Sequence, residues 1–217
     1  MNKGGFLIKM TENIHEEKKS IKQAFVYDLI YPALLGAMIY DIVPIEPSVV
    51  YWTKLVIIIA YLADYFHLYF LLPTEVTSAQ KDTAVYVGCD FLVSVALLIS
   101  SKYSGTEPGA SFVAFALVPV FFLAYGISLG YHIKFYGGLV AASIVSAVCW
   151  CKLITPETHE TQSKYLLGYV TIFTFFYSGS VLLKYIKKSK DKNKNKIVTE
   201  VQSRVEAEVP STMPAEH

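Results

Sequence analysis

Three aspartates and a histidine stand inside stretches that are otherwise apolar: Asp28, Asp64, His67 and Asp90. Carboxylates and imidazoles hold and pass protons, and they coordinate cations. An aspartate at the centre of a membrane helix costs about 2.5–3.5 kcal/mol on insertion scales, and less toward the interface. Three of them facing lipid are too costly, so they are expected to face one another or a water-filled cavity. Asp64 and His67 are three apart and share a helix face, so the carboxylate can orient an imidazole that already titrates near neutrality. Tyrosines recur beside them: Tyr27 and Tyr31 near Asp28, Tyr61 and Tyr65 around Asp64, and Tyr86 four before Asp90. Phenol hydroxyls can donate to buried carboxylates. Pro32 has no N–H, so the carbonyl of Asp28, four residues earlier, is expected to lose its helical donor. That carbonyl and the Asp28 carboxylate make a candidate cation or proton site, with a simple packing kink as the alternative.

Four readings of this polar layer stay open. It is a structural network holding helices together, a proton- or cation-handling site, a metal site, or a set of groups that snorkel to the headgroups. No established metal-ligand spacing is present, so no metal and no cofactor are expected. Cys89, Cys149 and Cys151 read as ordinary packing thiols.

The elements that must position these groups are long apolar runs. A bilayer core about 30 Å thick needs roughly 20 residues of helix. Six runs qualify: 24–43, 49–72, 84–101, 110–129, 135–154 and 165–187. Prolines, glycines and charges separate them, among them Pro44, Glu46, Pro73, Lys81, Gly105, Pro108, Lys134, Pro156 and Glu157. Apolar runs of this length satisfy their backbone groups in lipid only as helices, and they lack the alternation of barrel strands. At 1.5 Å per residue the four ionisable groups lie roughly 6–12 Å from the same membrane boundary, on the first three spans.

Lysine and arginine set the orientation. With the N-terminus inside, the inner segments hold 5 in residues 1–23, Lys81, Lys134 and 8 from Lys184 onward, which is 15; the outer loops hold Lys102, Lys152 and Lys164, which is 3; Lys54 completes the 19. The expected fold is all-α: a polytopic bundle of about six transmembrane helices with both termini cytoplasmic. Residues 1–23 form an N-terminal tail without a cleavable signal, where Leu7, Met10, Ile14 and Ile21 suit a short interfacial helix. Residues 24–187 form the membrane domain, and 188–217 a lysine-rich tail expected to be disordered. Lys outnumbers Arg 18 to 1, a bias that fits an AT-rich bacterial gene and hence the bacterial inner membrane.

The expected partners begin with the lipid bilayer. Lys184, Lys187, Lys188 and Lys190 open a basic cluster suited to anionic headgroups. Gly138, Ala142 and Ser146 form a small-residue stripe on the fifth span, which permits close helix approach within the bundle or in a homo-oligomer. The tails offer a surface to a cytoplasmic protein. No nucleic-acid partner is expected. Trp52, Trp150 and Tyr51 suit the outer interfacial belt, and Lys54 can snorkel outward. Pro32 and Pro119, with Gly36 and Gly126 further on, occupy similar places in the first and fourth spans, a pattern that broken helices of an inverted repeat would give.

No phosphate loop, nucleophile elbow, zinc-protease helix or potassium-filter sequence occurs, and no soluble domain is visible. The first expectation is transport or conduction of protons or cations through the layer of Asp28, Asp64, His67 and Asp90, supported by Tyr31, Pro32, Tyr61, Tyr65 and Tyr86. The alternatives are an enzyme acting on a lipid substrate at the cytoplasmic leaflet, and a non-catalytic anchor, sensor or effector subunit.

Overall fold

The computed structural model describes residues 25–43, 45–68, 84–129 and 133–208, with the side chains of most of them. The expected N-terminal tail and the segment 69–83 lie outside the described residues. Among the described residues every regular element is helical. A π-helical turn, Phe25–Ile30, leads into α1 (Tyr31–Tyr40), followed by α2 (Val49–Phe66), α3 (Ala84–Tyr103), α4 (Pro108–Leu129), α5 (Ile133–Cys149), a second π turn (Trp150–Ile154) and α6 (His159–Glu208).

Local chemistry sets these ends. Ser48 caps α2 by accepting a hydrogen bond from the Tyr51 amide at 3.1 Å. Pro108 opens α4, where a missing amide costs nothing. Thr158 accepts from the Thr161 amide at the start of α6. The two interior prolines behave differently. Pro32 falls at the first turn of α1, immediately after the π turn, while Pro119 sits inside an unbroken α4. Corresponding broken helices, as an inverted repeat requires, are therefore not formed by these two residues. Buried surroundings hold α4 together through Pro119 although the Phe115 carbonyl loses its helical donor there.

Val49–Phe66, Pro108–Ile127, Ile133–Ile154 and His159–Lys187 are each long and apolar enough to cross a membrane. Their outward faces carry Val113, Ile127, Ile144, Val145, Ile172 and Phe175 in exposed positions. Exposed apolar surface of this extent is compatible with a lipid surrounding.

The chain divides into two compact units, Met1–Ser178 and Gly179–His217. In the first, α3 packs along α4 and α4 along α5, with α1 and α2 joined to each other and to α3. Serines close the α3–α4 hairpin: Ser111 Oγ donates to the Ser100 carbonyl at 2.7 Å and lies 3.0 Å from Ser100 Oγ. Aromatic rings build the core between α4 and α6. Phe112 meets Tyr169 at 5.1 Å, Phe115 meets Phe173 at 5.1 Å, and Phe122 stacks on Tyr177 at 4.8 Å. Trp150, expected in the interfacial belt, is buried and stacks on Phe112 at 4.5 Å. Trp52 remains half exposed against Tyr51, and Lys54 reaches out to the Asp41 carbonyl at 3.2 Å.

The second unit carries the remainder of α6. It is helical through Glu208, where the sequence leads one to expect a disordered tail. Lys, Glu, Gln and Arg are good helix formers, and a helix already nucleated upstream extends without the nucleation cost that an isolated tail faces. Lys187 and Lys190 are exposed and Lys184 is half-buried; the Lys188 side chain lies outside the described part.

Candidate functional site: a buried carboxylate held by tyrosines

Asp64 sits in the last turn of α2, fully buried, and both of its carboxylate oxygens are engaged. Tyr177 Oη on α6 donates to Oδ1 at 2.8 Å, and Tyr31 Oη on α1 donates to Oδ2 at 3.2 Å. Three helices thus meet at one carboxylate. Hydrogen bonds to charged groups contribute about 1.5–3 kcal/mol each, so two of them offset an insertion cost of about 3 kcal/mol.

The donors are themselves fixed. Tyr61 Oη donates to the Tyr31 carbonyl at 3.0 Å, and its ring lies 5.2 Å from that of Tyr31. Tyr65 flanks Tyr31 at 5.5 Å. Tyr177 is clamped between Phe122 at 4.8 Å and Phe173 at 6.2 Å.

His67, immediately past the end of α2, is buried with its Nδ1 at 3.4 Å from Tyr177 Oη. That hydroxyl has a single proton, and it goes to Asp64. The long contact with His67 is therefore a hydrogen bond when Nδ1 carries a proton and donates. The result is a chain running from imidazole to phenol to carboxylate.

Asp90 on α3 is also buried and faces the same interior space, and its carbonyl accepts from Ser94 Oγ at 3.2 Å. Asp64, His67 and Asp90 line this space together with Phe122, Tyr125 and Tyr136. It leaves about 0 Å³ for a water-sized sphere, so a hydrated cation does not fit in this conformation. Among the described residues no group of three or more His, Cys, Asp or Glu is arranged to hold a metal ion.

The structure thus brings together Asp64, His67 and Asp90 with Tyr31, Tyr61 and Tyr65. It does not bring in Asp28, whose side chain is exposed. The reason is the π turn. Asp28 lies inside it and Tyr31 just after it, so the wider turn rotates Asp28 off the face that Tyr31 presents to the bundle. Pro32 is also exposed, on the outside of α1. The Tyr86 side chain lies outside the described part.

Tyr125, Tyr136 and Tyr177 are the residues the sequence did not single out. All three lie on the fourth to sixth spans, outside the spans that carry Asp28, Asp64, His67 and Asp90. For Tyr177 depth was the available signal, because tyrosines of an interfacial belt belong at the ends of spans and Tyr177 lies well inside one.

Within the single chain the small-residue stripe is not a close helix contact. Gly138 and Ala142 are exposed, and a methyl group added at Gly138 would meet nothing within 4 Å. Ala142 and Ser146 instead line an open groove between α5 and α6. Comparisons with protein-family models, with curated proteins and with solved structures found no match.

Proposed function

We propose that the chain is a six-span protein of the bacterial inner membrane, with both termini cytoplasmic, in which Asp64, Tyr177 and His67 handle protons for transport or conduction. The observation that carries this reading is the unbroken hydrogen-bonded sequence from His67 Nδ1 through Tyr177 Oη to Asp64 Oδ1, buried in the bundle. A proton can pass along it in a balanced step: His67, when doubly protonated, gives its Nδ1 proton to the phenol oxygen as the phenol gives its own proton to the carboxylate, leaving a neutral imidazole, a phenol and a carboxylic acid. Asp90, across the same closed space, is the next group able to receive it. The tightness of that space favours protons over hydrated cations. The lysines from Lys184 to Lys190 anchor the inner end at anionic headgroups.

A second reading rests on the same completeness. With both oxygens of Asp64 engaged and no open volume beside it, the cluster also suits a staple that fastens α1, α2 and α6. Proton flux into liposomes distinguishes the two. Asp→Asn keeps shape and removes the titrating group. The proton reading expects Asp64→Asn and Asp90→Asn to insert and fold normally while flux is lost, and Asp28→Asn to retain flux. Normal flux in both of the first two variants, or loss of folding in both, leaves the staple as the better account.

A further inference from the structure

An open groove of about 520 Å³ runs between α5 and the part of α6 before Gly179. Ala142, Val145 and Cys149 line one wall, and Tyr165, Gly168 and Ile172 the other. Its hydroxyls are used up across the groove: Ser143 Oγ pairs with Tyr169 Oη at 2.7 Å, and Ser146 Oγ with Tyr165 Oη at 2.9 Å. The surface left over is apolar, and its volume is that of a ligand site.

Residues 139–149 span roughly 15 Å at 1.5 Å per residue, and a second helix, about 10 Å across, would rest on the groove by one face rather than lie within it. A single hydrocarbon chain is the narrower occupant that a bilayer supplies.

The end of the groove adds charge. Lys152 lies in the second π turn, three residues past Cys149, and Lys164 directly precedes Tyr165 on α6, so both groove walls end beside exposed lysines. Lys164 also pairs with Glu160 at 2.6 Å, but on an exposed surface where such a pair is weak and exchanges readily. These are two of the three basic residues assigned to the outer side.

We infer that this groove binds one acyl chain of an anionic phospholipid, with the phosphate held at Lys152 and Lys164. The inference rests on the membrane placement proposed above, and it is independent of the proton path.

The test is native mass spectrometry of the full chain in mild detergent, offered equal amounts of phosphatidylglycerol and phosphatidylcholine. Wild type should retain one phosphatidylglycerol. Gly168→Leu should abolish retention, because a side chain there enters open space in the groove without a clash. Ala142→Leu, on the opposite wall, should do the same and guards against a folding defect in the first variant. Lys152→Gln with Lys164→Gln should keep a lipid but lose a headgroup preference of about tenfold or more, the scale set by two lysines near an anionic surface. Unchanged retention in both leucine variants overturns the inference. So does equal retention of the two lipids by wild type, or a dimer that both leucine variants dissociate. Absence of lipid from a wild type that inserts with the proposed topology overturns this inference alone, whereas a wrong topology removes the membrane placement as well.

Discussion

At the scale of residues, Asp64 is distinguished by the distance along the chain over which its partners are gathered. Tyr31 lies 33 positions before it and Tyr177 lies 113 after it. The bond from Tyr177 is the shorter, and Tyr177 also touches His67, so the two tyrosines should not be equivalent. Tyr177→Phe should destabilise the folded protein by about 1–3 kcal/mol, the cost of stranding a buried acceptor. Tyr31→Phe should cost less. Unfolding titrations in mixed detergent micelles measure both, and equal losses would remove the special position given to Tyr177. The aspartates and His67 were legible in the sequence because ionisable groups in an apolar run are expensive wherever they occur. Tyr177 was not. The chain holds 16 tyrosines, and most of them serve packing or the membrane interface equally well. Asp28 was misplaced because a π turn leaves no mark in hydrophobic periodicity, yet it changes which face a residue occupies.

At the scale of elements, the described part of each apolar run is largely helical, and four of the helices are long and apolar enough to cross a membrane, since hydropathy and backbone satisfaction both act along the chain. Which helices touch was not readable, because contact depends on side-chain shape. The two tryptophans show this. Both read as belt residues, but the ring of Trp150 stacks on Phe112 with planes 10° apart, while Trp52 is 50% exposed. Trp150→Ala should therefore cost about 3–5 kcal/mol through the cavity it leaves. Trp52→Ala should fall within about 0.5 kcal/mol of wild type, as surface changes generally do. The same unfolding titration checks this pair, and similar losses would contradict the packing described for the second π turn. The extended helix of α6 makes a related point. Composition alone argued for a disordered tail in residues 188–217, whereas the structure continues the helix from the apolar segment through Glu208.

At the scale of the whole molecule, the account joins a polarity asymmetry to a buried centre. The proposed orientation, with both termini in the cytoplasm, rests on the 15-to-3 lysine and arginine bias. A reporter fused after His217 should be active only if it functions there, and periplasmic activity would overturn the orientation. The central claim is that Asp64 exchanges a proton through Tyr177. Infrared difference spectroscopy of the reconstituted protein, recorded across a pH change, reads carboxyl protonation directly. The account predicts a carboxyl band that is absent in Asp64→Asn and displaced in Tyr177→Phe, where the hydrogen bond to Oδ1 is gone. A spectrum identical in wild type and Asp64→Asn would show that this carboxyl does not titrate, and would contradict the claim.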